Sequence, residues 1–276
     1  MQAIRAIAAG WIVAVLAVFP MSVALAQEKG KVEVLWLGHS AARITTVAGK
    51  VILIDPWLTG NPKTPPEYRK LSALGKVDLI LVTHGHYDHL GDGPALAREY
   101  KAPLWGPAGL DLTLRALGVL PTKLAPLMNK GGTIEPFPGV KITQVHAEHS
   151  SELLWTNPMT KKKETYPAGE PVGFIIELEN GFKIYHMGDT ALFGDMKLIA
   201  EYYKPDLVMI PIGGRFTMDP KDAAYATREW LKPKYAIPIH YGTLPDLTGT
   251  AKEYMQALGS TPTKVFAIEP GEKLAF

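Results

Sequence analysis

The stretch Thr83-His84-Gly85-His86-Tyr87-Asp88-His89 decides the fold, because it places three histidines and an aspartate within six residues. It follows the apolar run Val77–Val82, which is typical of a strand buried on both faces. A short loop leaving such a strand can turn its first two histidines toward one ion and the Asp-His pair toward a second position. Neutral imidazoles and carboxylates are good ligands for zinc and related divalent ions. The stretch therefore predicts a metal site, with room for two ions that clamp a substrate.

The composition limits the chemistry. The chain has no cysteine, which excludes disulfides, thiolate ligands and a cysteine nucleophile, so every metal ligand must be nitrogen or oxygen. Without residues 1–26, 28 basic and 27 acidic side chains remain, and this near-zero balance argues against nucleic acid as a partner. The run Lys161–Lys163 predicts a solvated loop, with steering of anionic substrates as the alternative.

Residues 1–26 predict a signal peptide. Arg5 is the one charge before the apolar stretch Ala6–Leu25, and Ala24-Leu25-Ala26 has the small-x-small pattern of a cleavage site. Cleavage after Ala26 would make Gln27 the mature N-terminus and the protein periplasmic or secreted. An uncleaved membrane anchor is the alternative, since the apolar run is nearly long enough to span a bilayer. Residues 27–276 then form one large domain with a substantial core.

Strand and helix patterns alternate along this domain. The predicted strands are Val32–Leu37, Arg43–Val47, Val51–Ile54, Val77–Val82, Pro103–Trp105, Thr133–Phe137, Val140–His146, Val172–Glu179, Phe182–Met187, Leu207–Ile210, Tyr235–Ile239 and Lys264–Ile268. The predicted helices are Pro94–Tyr100, Gly109–Leu117, Met196–Tyr203, Pro220–Leu231 and Thr250–Leu258. This order predicts an α/β fold of the αββα type, a sandwich of two mixed β-sheets with helices outside.

The segment Leu153–Glu170 has no clear pattern. Its Trp155, Met159 and Tyr166 suit either a loop over the site or filler for the core.

The five histidines outside the quoted stretch each follow or end a predicted strand. A single histidine at a strand end is usually structural, but an α/β sandwich collects functional groups on one rim. The joint placement of these residues therefore favours a shared site. They are His39, His146, His149, His186 and His240.

Seven segments in this order resemble the metal-dependent hydrolase family of the metallo-β-lactamase superfamily, near the ascorbate-phosphate lactonase branch. The similarity covers residues 31–276 and implies the metallo-β-lactamase fold. The segments are Trp36-Leu37-Gly38-His39-Ser40, Ile54-Asp55-Pro56, Thr83–His89, His149-Ser150-Ser151, Tyr185-His186-Met187-Gly188-Asp189-Thr190, Pro211–Met218 and Pro238-Ile239-His240-Tyr241.

The resemblance implies a set of metal ligands. The first metal would be bound by His84, His86 and His149, the second by Asp88, His89 and His240, and Asp189 would bridge the two. Nitrogen and oxygen ligands accept zinc, manganese, iron or nickel, and export of an unfolded chain favours zinc. Asp88 and Asp189 are the candidates for moving protons during catalysis.

Four further residues are candidates for supporting the ligands or contacting substrate. Asp55 would accept a hydrogen bond from a ligand imidazole, with a turn aspartate as the alternative. His39 would face the substrate or be structural, and His186 is either a core residue or a support for the ligands. Arg215 would contact an anion or lie on the surface. His146 competes with His149 for the third-histidine position, and the following Ser150-Ser151 favours His149.

The resemblance implies a metal-dependent hydrolase that uses metal-bound hydroxide on an ester, lactone or phosphodiester. The substrate would be a small, anionic molecule, and contact with a membrane would arise from an uncleaved N-terminal segment alone. Antibiotic-hydrolysing relatives with two metals often use a cysteine that this chain lacks, which argues against a β-lactam substrate. A di-iron redox protein of the same fold is an alternative, although such proteins commonly place Glu where His86 stands. A non-catalytic periplasmic metal-binding protein is another.

Overall fold

The computed structural model describes residues 30–157 and 159–276. The predicted signal peptide and its cleavage site lie outside these residues. Within the described part of the chain, no helix combines the length and apolar character needed to cross a membrane.

Two mixed sheets form the centre of the fold. The first has six strands, β1 (Glu33–Gly38), β2 (Ala41–Thr45), β3 (Val51–Ile54), β4 (Leu79–Leu81), β5 (Leu104–Trp105) and β15 (Lys273–Ala275), in the spatial order β15-β1-β2-β3-β4-β5. The second has seven, β6 (Thr133–Phe137), β7 (Val140–His146), β10 (Val172–Glu177), β11 (Lys183–His186), β12 (Leu207–Pro211), β13 (Tyr235–Ile239) and β14 (Lys264–Val265), in the order β14-β13-β12-β11-β10-β7-β6. Parallel pairing runs from β3 to β5 and from β11 to β14, and the other pairs are antiparallel.

The strands are continuously apolar because both of their faces are buried. In β4, Leu79 and Leu81 lie in the core between the two sheets, whereas Ile80 packs into the layer outside the first sheet. In β12, Leu207 and Met209 lie between the sheets, and the alternate residues pack outside the second sheet. This two-residue period produces three apolar cores separated by two sheets.

Helices cover both outer faces. Against the first sheet pack α3 (Gly93–Tyr100) and α4 (Ala108–Ala116). Against the second pack α5 (Met196–Tyr203), α6 (Pro220–Tyr225), a π-helical turn (Ala226–Leu231) and α7 (Ala251–Leu258). The shorter elements are α1 (Pro66–Arg69), a 3₁₀ turn (Leu71–Leu74) and α2 (Tyr87–Leu90). The predicted αββα sandwich is confirmed.

The segment without a sequence pattern is a β-hairpin. Strands β8 (Glu152–Thr156) and β9 (Lys163–Pro167) pair antiparallel, with Glu152 opposite Pro167. Trp155 and Tyr166 are half-buried against the core outside the first sheet, whereas Met159 is exposed. The first two are therefore core filler, and none of the three lines the cleft described below.

The sequence also mispredicted some boundaries. The helix expected at Pro220–Leu231 divides into α6 and the π-helical turn, and the last predicted strand ends at Val265 rather than at Ile268. Strand β15 and the hairpin were not predicted.

Candidate metal centre

One edge of the sandwich collects the polar side chains, because each follows the end of a strand. His39 follows β1, Asp55 follows β3, the stretch Thr83–His89 follows β4, and β7, β11 and β13 lead to His149, Asp189 and His240. Among the residues that the structure describes, there are three groups of potential ligands, and within each group the donor atoms all lie within 4.8 Å of one another. We call His84, His86 and His149 the outer cluster, and His39, Asp88, His89 and His240 the inner cluster. The third group, His84, His89 and Asp189, joins the two.

The outer cluster is open to solvent on one side. His84 is fully buried, whereas the side chains of His86 and His149 are 28% and 13% exposed. His84 Nε2 lies 2.9 Å from His86 Nδ1, and its own Nδ1 lies 3.0 Å from Thr83 Oγ1. An Nδ1–H that donates to Thr83 leaves His84 Nε2 as an unprotonated donor atom facing the cluster.

The inner cluster is buried around the carboxylate of Asp88. Asp88 Oδ2 lies 3.0 Å from His39 Nε2 and 3.9 Å from His240 Nε2. Burial, together with the charge of His240, lowers the pKa of His39 to about 4, so its ring is neutral at pH 7. Burial raises the pKa of Asp88, but the nearby imidazole of His240 and the hydrogen bond from His39 outweigh it and hold that pKa well below the usual range. Asp88 is therefore ionised.

Asp189 contacts both clusters. Its Oδ1 lies 3.3 Å from His89 Nε2, and its Oδ2 lies 3.0 Å from His240 Nε2 and 3.6 Å from His149 Nε2. Burial opposes ionisation of this carboxyl, but the charges of His240 and His89 keep its pKa well below the usual range. Asp189 is thus an ionised carboxylate between two groups of imidazoles.

The donor set fits divalent metal ions. His89 Nε2, His240 Nε2 and Asp189 Oδ1 are buried and have no hydrogen-bond partner among the described residues, although they face one another. Leaving such atoms unpaired costs about 1–3 kcal/mol each. A cation between them would satisfy all three, and nitrogen and oxygen donors suit zinc, manganese, iron or nickel.

A buried hydrogen-bond network fixes His89. Asp55 is fully buried, and its Oδ2 lies 2.8 Å from His89 Nδ1. Its two oxygens also accept the backbone N–H and the hydroxyl of Thr83, both at 2.8 Å. Burial lowers the pKa of His89, but the charges of Asp189 and Asp55 outweigh it and raise that pKa well above the usual value. With its Nδ1 held by Asp55, the ring presents Nε2 to the centre.

Strained backbone accompanies these side chains. His39, Asp55 and His240 have φ angles of 57°, 46° and 55°, in the left-handed region that residues with a Cβ rarely adopt. His240 N–H donates to the carbonyl of His39 at 3.0 Å, and Trp36 Nε1–H donates to the same carbonyl at 2.9 Å. A Cβ on Gly213 would stand 2.2 Å from the carbonyl of His240, so glycine is required there. Contacts with the surrounding fold therefore support the strained conformation of the loops that carry these side chains.

Three further candidates lie outside both clusters. His186 is buried, and its Nε2 donates to the carbonyl of Ser40 at 2.9 Å, which joins the two sheets. His146 bonds Glu148 and Lys130, and its ring packs against Phe193. Arg215 forms an exposed ion pair with Asp246, so its guanidinium already has an anionic partner.

A cleft of about 520 Å³ leads to the centre. Its floor includes His86, Asp88, His149 and His240, and Asp189 lies among them. Apolar or aromatic side chains on its wall come from Tyr87, Phe216 and Leu244. His39 does not line the cleft, because it is fully buried behind Asp88.

Two residues that contact this centre, Thr83 and Glu152, were not identified from the sequence. Thr83 bonds both Asp55 and His84, and it belongs to the stretch that decided the fold, so its position was a usable signal. Glu152, which contacts His86, lies in the segment that showed no pattern.

The chain matches the model of the β-lactamase superfamily domain over residues 50–241. It is 63% identical, over 247 residues, to a UPF0173 metal-dependent hydrolase of a Polaromonas species, covering 90% of each chain. A protein of the same name from Cupriavidus metallidurans is 61% identical over 250 residues, covering 90% of this chain and 86% of that one. The fold is also similar to Igni18, a metallo hydrolase from the archaeon Ignicoccus hospitalis. The TM-score is 0.75 and the identity 33%, covering 89% of this chain and 98% of that chain.

Proposed function

Because the chain belongs to the UPF0173 metal-dependent hydrolases of the metallo-β-lactamase superfamily, we propose that it cleaves a small ester, lactone or phosphodiester at a centre for two divalent ions. The observation that carries this proposal is the pair of adjoining clusters with Asp189 between them. The ligands would be His84, His86 and His149 for one ion, Asp88, His89 and His240 for the other, and Asp189 for both.

Divalent ions at such a centre lower the pKa of water toward about 7 and polarise the substrate oxygen. Asp88 and Asp189 are the carboxylates proposed to take part in proton transfer. Asp88 lines the cleft and is ionised, so it has no proton to donate at the start of the reaction. Asp189 is ionised as well, but it is more deeply buried.

The lining of the cleft supports a substrate that has one anionic or strongly polarised group and one apolar part. Two divalent ions outweigh the carboxylates of Asp88 and Asp189, so the floor attracts an anionic or strongly polarised group. Arg215 adds little positive charge there while it is paired with Asp246. Tyr87, Phe216 and Leu244 offer apolar surface for the remainder of the molecule. We therefore favour an ester, lactone or phosphodiester that carries an apolar substituent.

The test is a substrate screen of the metal-loaded protein. Matched methyl and phenyl esters, lactones, phosphodiesters, a thioester and a penicillin are compared, with His86→Ala as the inactive control and His146→Ala as the active one. We expect at least one ester, lactone or phosphodiester to be cleaved faster than the penicillin. Phe216→Ala should raise KM more for the phenyl ester than for the methyl ester. Faster cleavage of the penicillin than of every other compound, or no cleavage of any, would overturn the proposal.

We also propose that the protein is exported and cut after Ala26. The support is the pattern of residues 1–26, with one charge, a long apolar stretch and a small-x-small site. N-terminal sequencing of protein recovered from the periplasm should give Gln27. An intact Met1 on membrane-bound protein would instead support the anchor.

A further inference from the structure

Glu152, the first residue of β8, contacts the outer cluster from outside. Its Oε2 lies 3.1 Å from His86 Nε2 and accepts the hydroxyl of Ser150 at 3.1 Å. The other ring nitrogen of His86, Nδ1, lies 2.9 Å from His84 Nε2 and faces the cluster. The imidazole of His86 therefore lies between a carboxylate on its outer side and the ligand atoms on its inner side.

Backbone packing sets the position of Glu152. A Cβ on Gly85 would meet the Cβ of Ala168 at 2.3 Å and the carbonyl of Glu152 at 3.2 Å, so the loop between His84 and His86 rests directly on the base of the hairpin. Gly85 N–H donates to Ser151 Oγ at 3.1 Å, and Ser151 Oγ donates to the carbonyl of Ala168 at 3.1 Å. The hairpin thus fixes Glu152 relative to the histidines, although its side chain is 55% exposed.

We propose that Glu152 is a positioning residue for His86, accepting its Nε2–H so that Nδ1 stays unprotonated and directed into the outer cluster. A neutral imidazole has one N–H, and an acceptor on one nitrogen selects the tautomer that leaves the other free for metal. The charge of the carboxylate also makes the imidazole a stronger donor. The inference rests on the proposed outer metal site and adds a residue that controls the affinity of that site.

A second His–Glu pair provides a matched control. Glu148 Oε2 lies 3.2 Å from His146 Nε2, and the two side chains are 62% and 38% exposed. This pair resembles His86–Glu152 in distance and exposure, but His146 belongs to none of the three potential ligand groups. A generic effect of removing an exposed carboxylate near a histidine would therefore occur in both pairs.

The experiment measures zinc affinity of the full chain by competition with a chromophoric chelator. Glu152→Gln, Glu152→Leu, Glu148→Gln and Glu148→Leu are compared with the unsubstituted protein. For Glu152→Leu we expect one of the binding steps to weaken by about 10–100-fold, the range for loss of such a partner. Glu152→Gln should weaken it less, because its amide oxygen still accepts a hydrogen bond. Both Glu148 variants should leave the affinity unchanged.

Nitrogen-15 spectra of histidine-labelled apoprotein provide a second readout. We expect the Nε2–H form of His86 in the unsubstituted protein and a mixture of tautomers in Glu152→Leu. If Glu152→Leu does not fold, Glu152→Gln serves for both measurements. Unchanged zinc affinity in the Glu152 variants, or equal losses in the Glu148 variants, would overturn the inference. Failure of the unsubstituted protein to bind zinc would instead count against the proposed function.

Discussion

The inner and outer clusters are both built mainly of histidines, but they differ in how the fold surrounds them. In the inner cluster, the side chains of His39, His89 and His240 are at most 2% exposed, and Asp55 supports one of them from a fully buried position. In the outer cluster, His86 and His149 are partly exposed, and the carboxylate next to His86 is on the surface. The three inner histidines are therefore enclosed by the core, whereas Asp88 and the outer cluster are open to solvent.

The largest effect is expected from removing a candidate ligand of the outer cluster. His149→Ala should lower the zinc affinity of the outer site by at least about 100-fold, since a three-histidine set loses one donor. His146→Ala, three residues earlier in the chain, should leave zinc binding unchanged, because its ring bonds Glu148 and Lys130. Metal content and chelator competition measure both variants. Loss of metal in the His146 variant alone would reverse the assignment of this segment.

An effect on protein stability should distinguish the inner cluster from the outer one. Asp55→Asn should lower the free energy of unfolding of the apoprotein by about 3 kcal/mol, because a buried carboxylate paired with His89 is lost. Asp78→Asn is the control, since Asp78 accepts Val51 N–H near the surface and pairs with exposed lysines. Asp78→Asn and Glu152→Gln should each lower the free energy of unfolding by at most about 1 kcal/mol. Urea unfolding in the presence of chelator measures all three. Equal losses would show that burial does not separate the two clusters.

Much of the fold followed from local patterns. Strands such as Val51–Ile54 and Tyr235–Ile239 have the predicted bounds, because short, continuous apolar runs are typical of a strand that is buried on both faces. The hairpin Glu152–Pro167 was missed, because it packs through Leu153 and two half-buried aromatic residues while its other positions are mostly exposed. The conformation of such a short, two-stranded hairpin depends on tertiary contacts more than on the periodicity of its sequence.

The sequence also identified most of the residues that the structure brings together at the candidate site. The candidate ligands follow strand ends, and they converge because those ends share one edge of the sandwich; each lies in a recognisable segment. His39 was left undecided, since burial behind Asp88 depends on how β1 meets β13 across the two sheets. Glu152 could not be found from the sequence, because its contact with His86 depends on the packing of Gly85 against the hairpin.

Metal stoichiometry tests the central claim of two adjoining sites most directly. Elemental analysis of protein purified without chelator should give about two equivalents of divalent metal, and His86→Ala should retain about one while losing turnover. Brief chelation of the unsubstituted protein should remove one equivalent well before the other, because the outer cluster is the more exposed. A His86→Ala variant that keeps both full metal content and full activity would contradict the account.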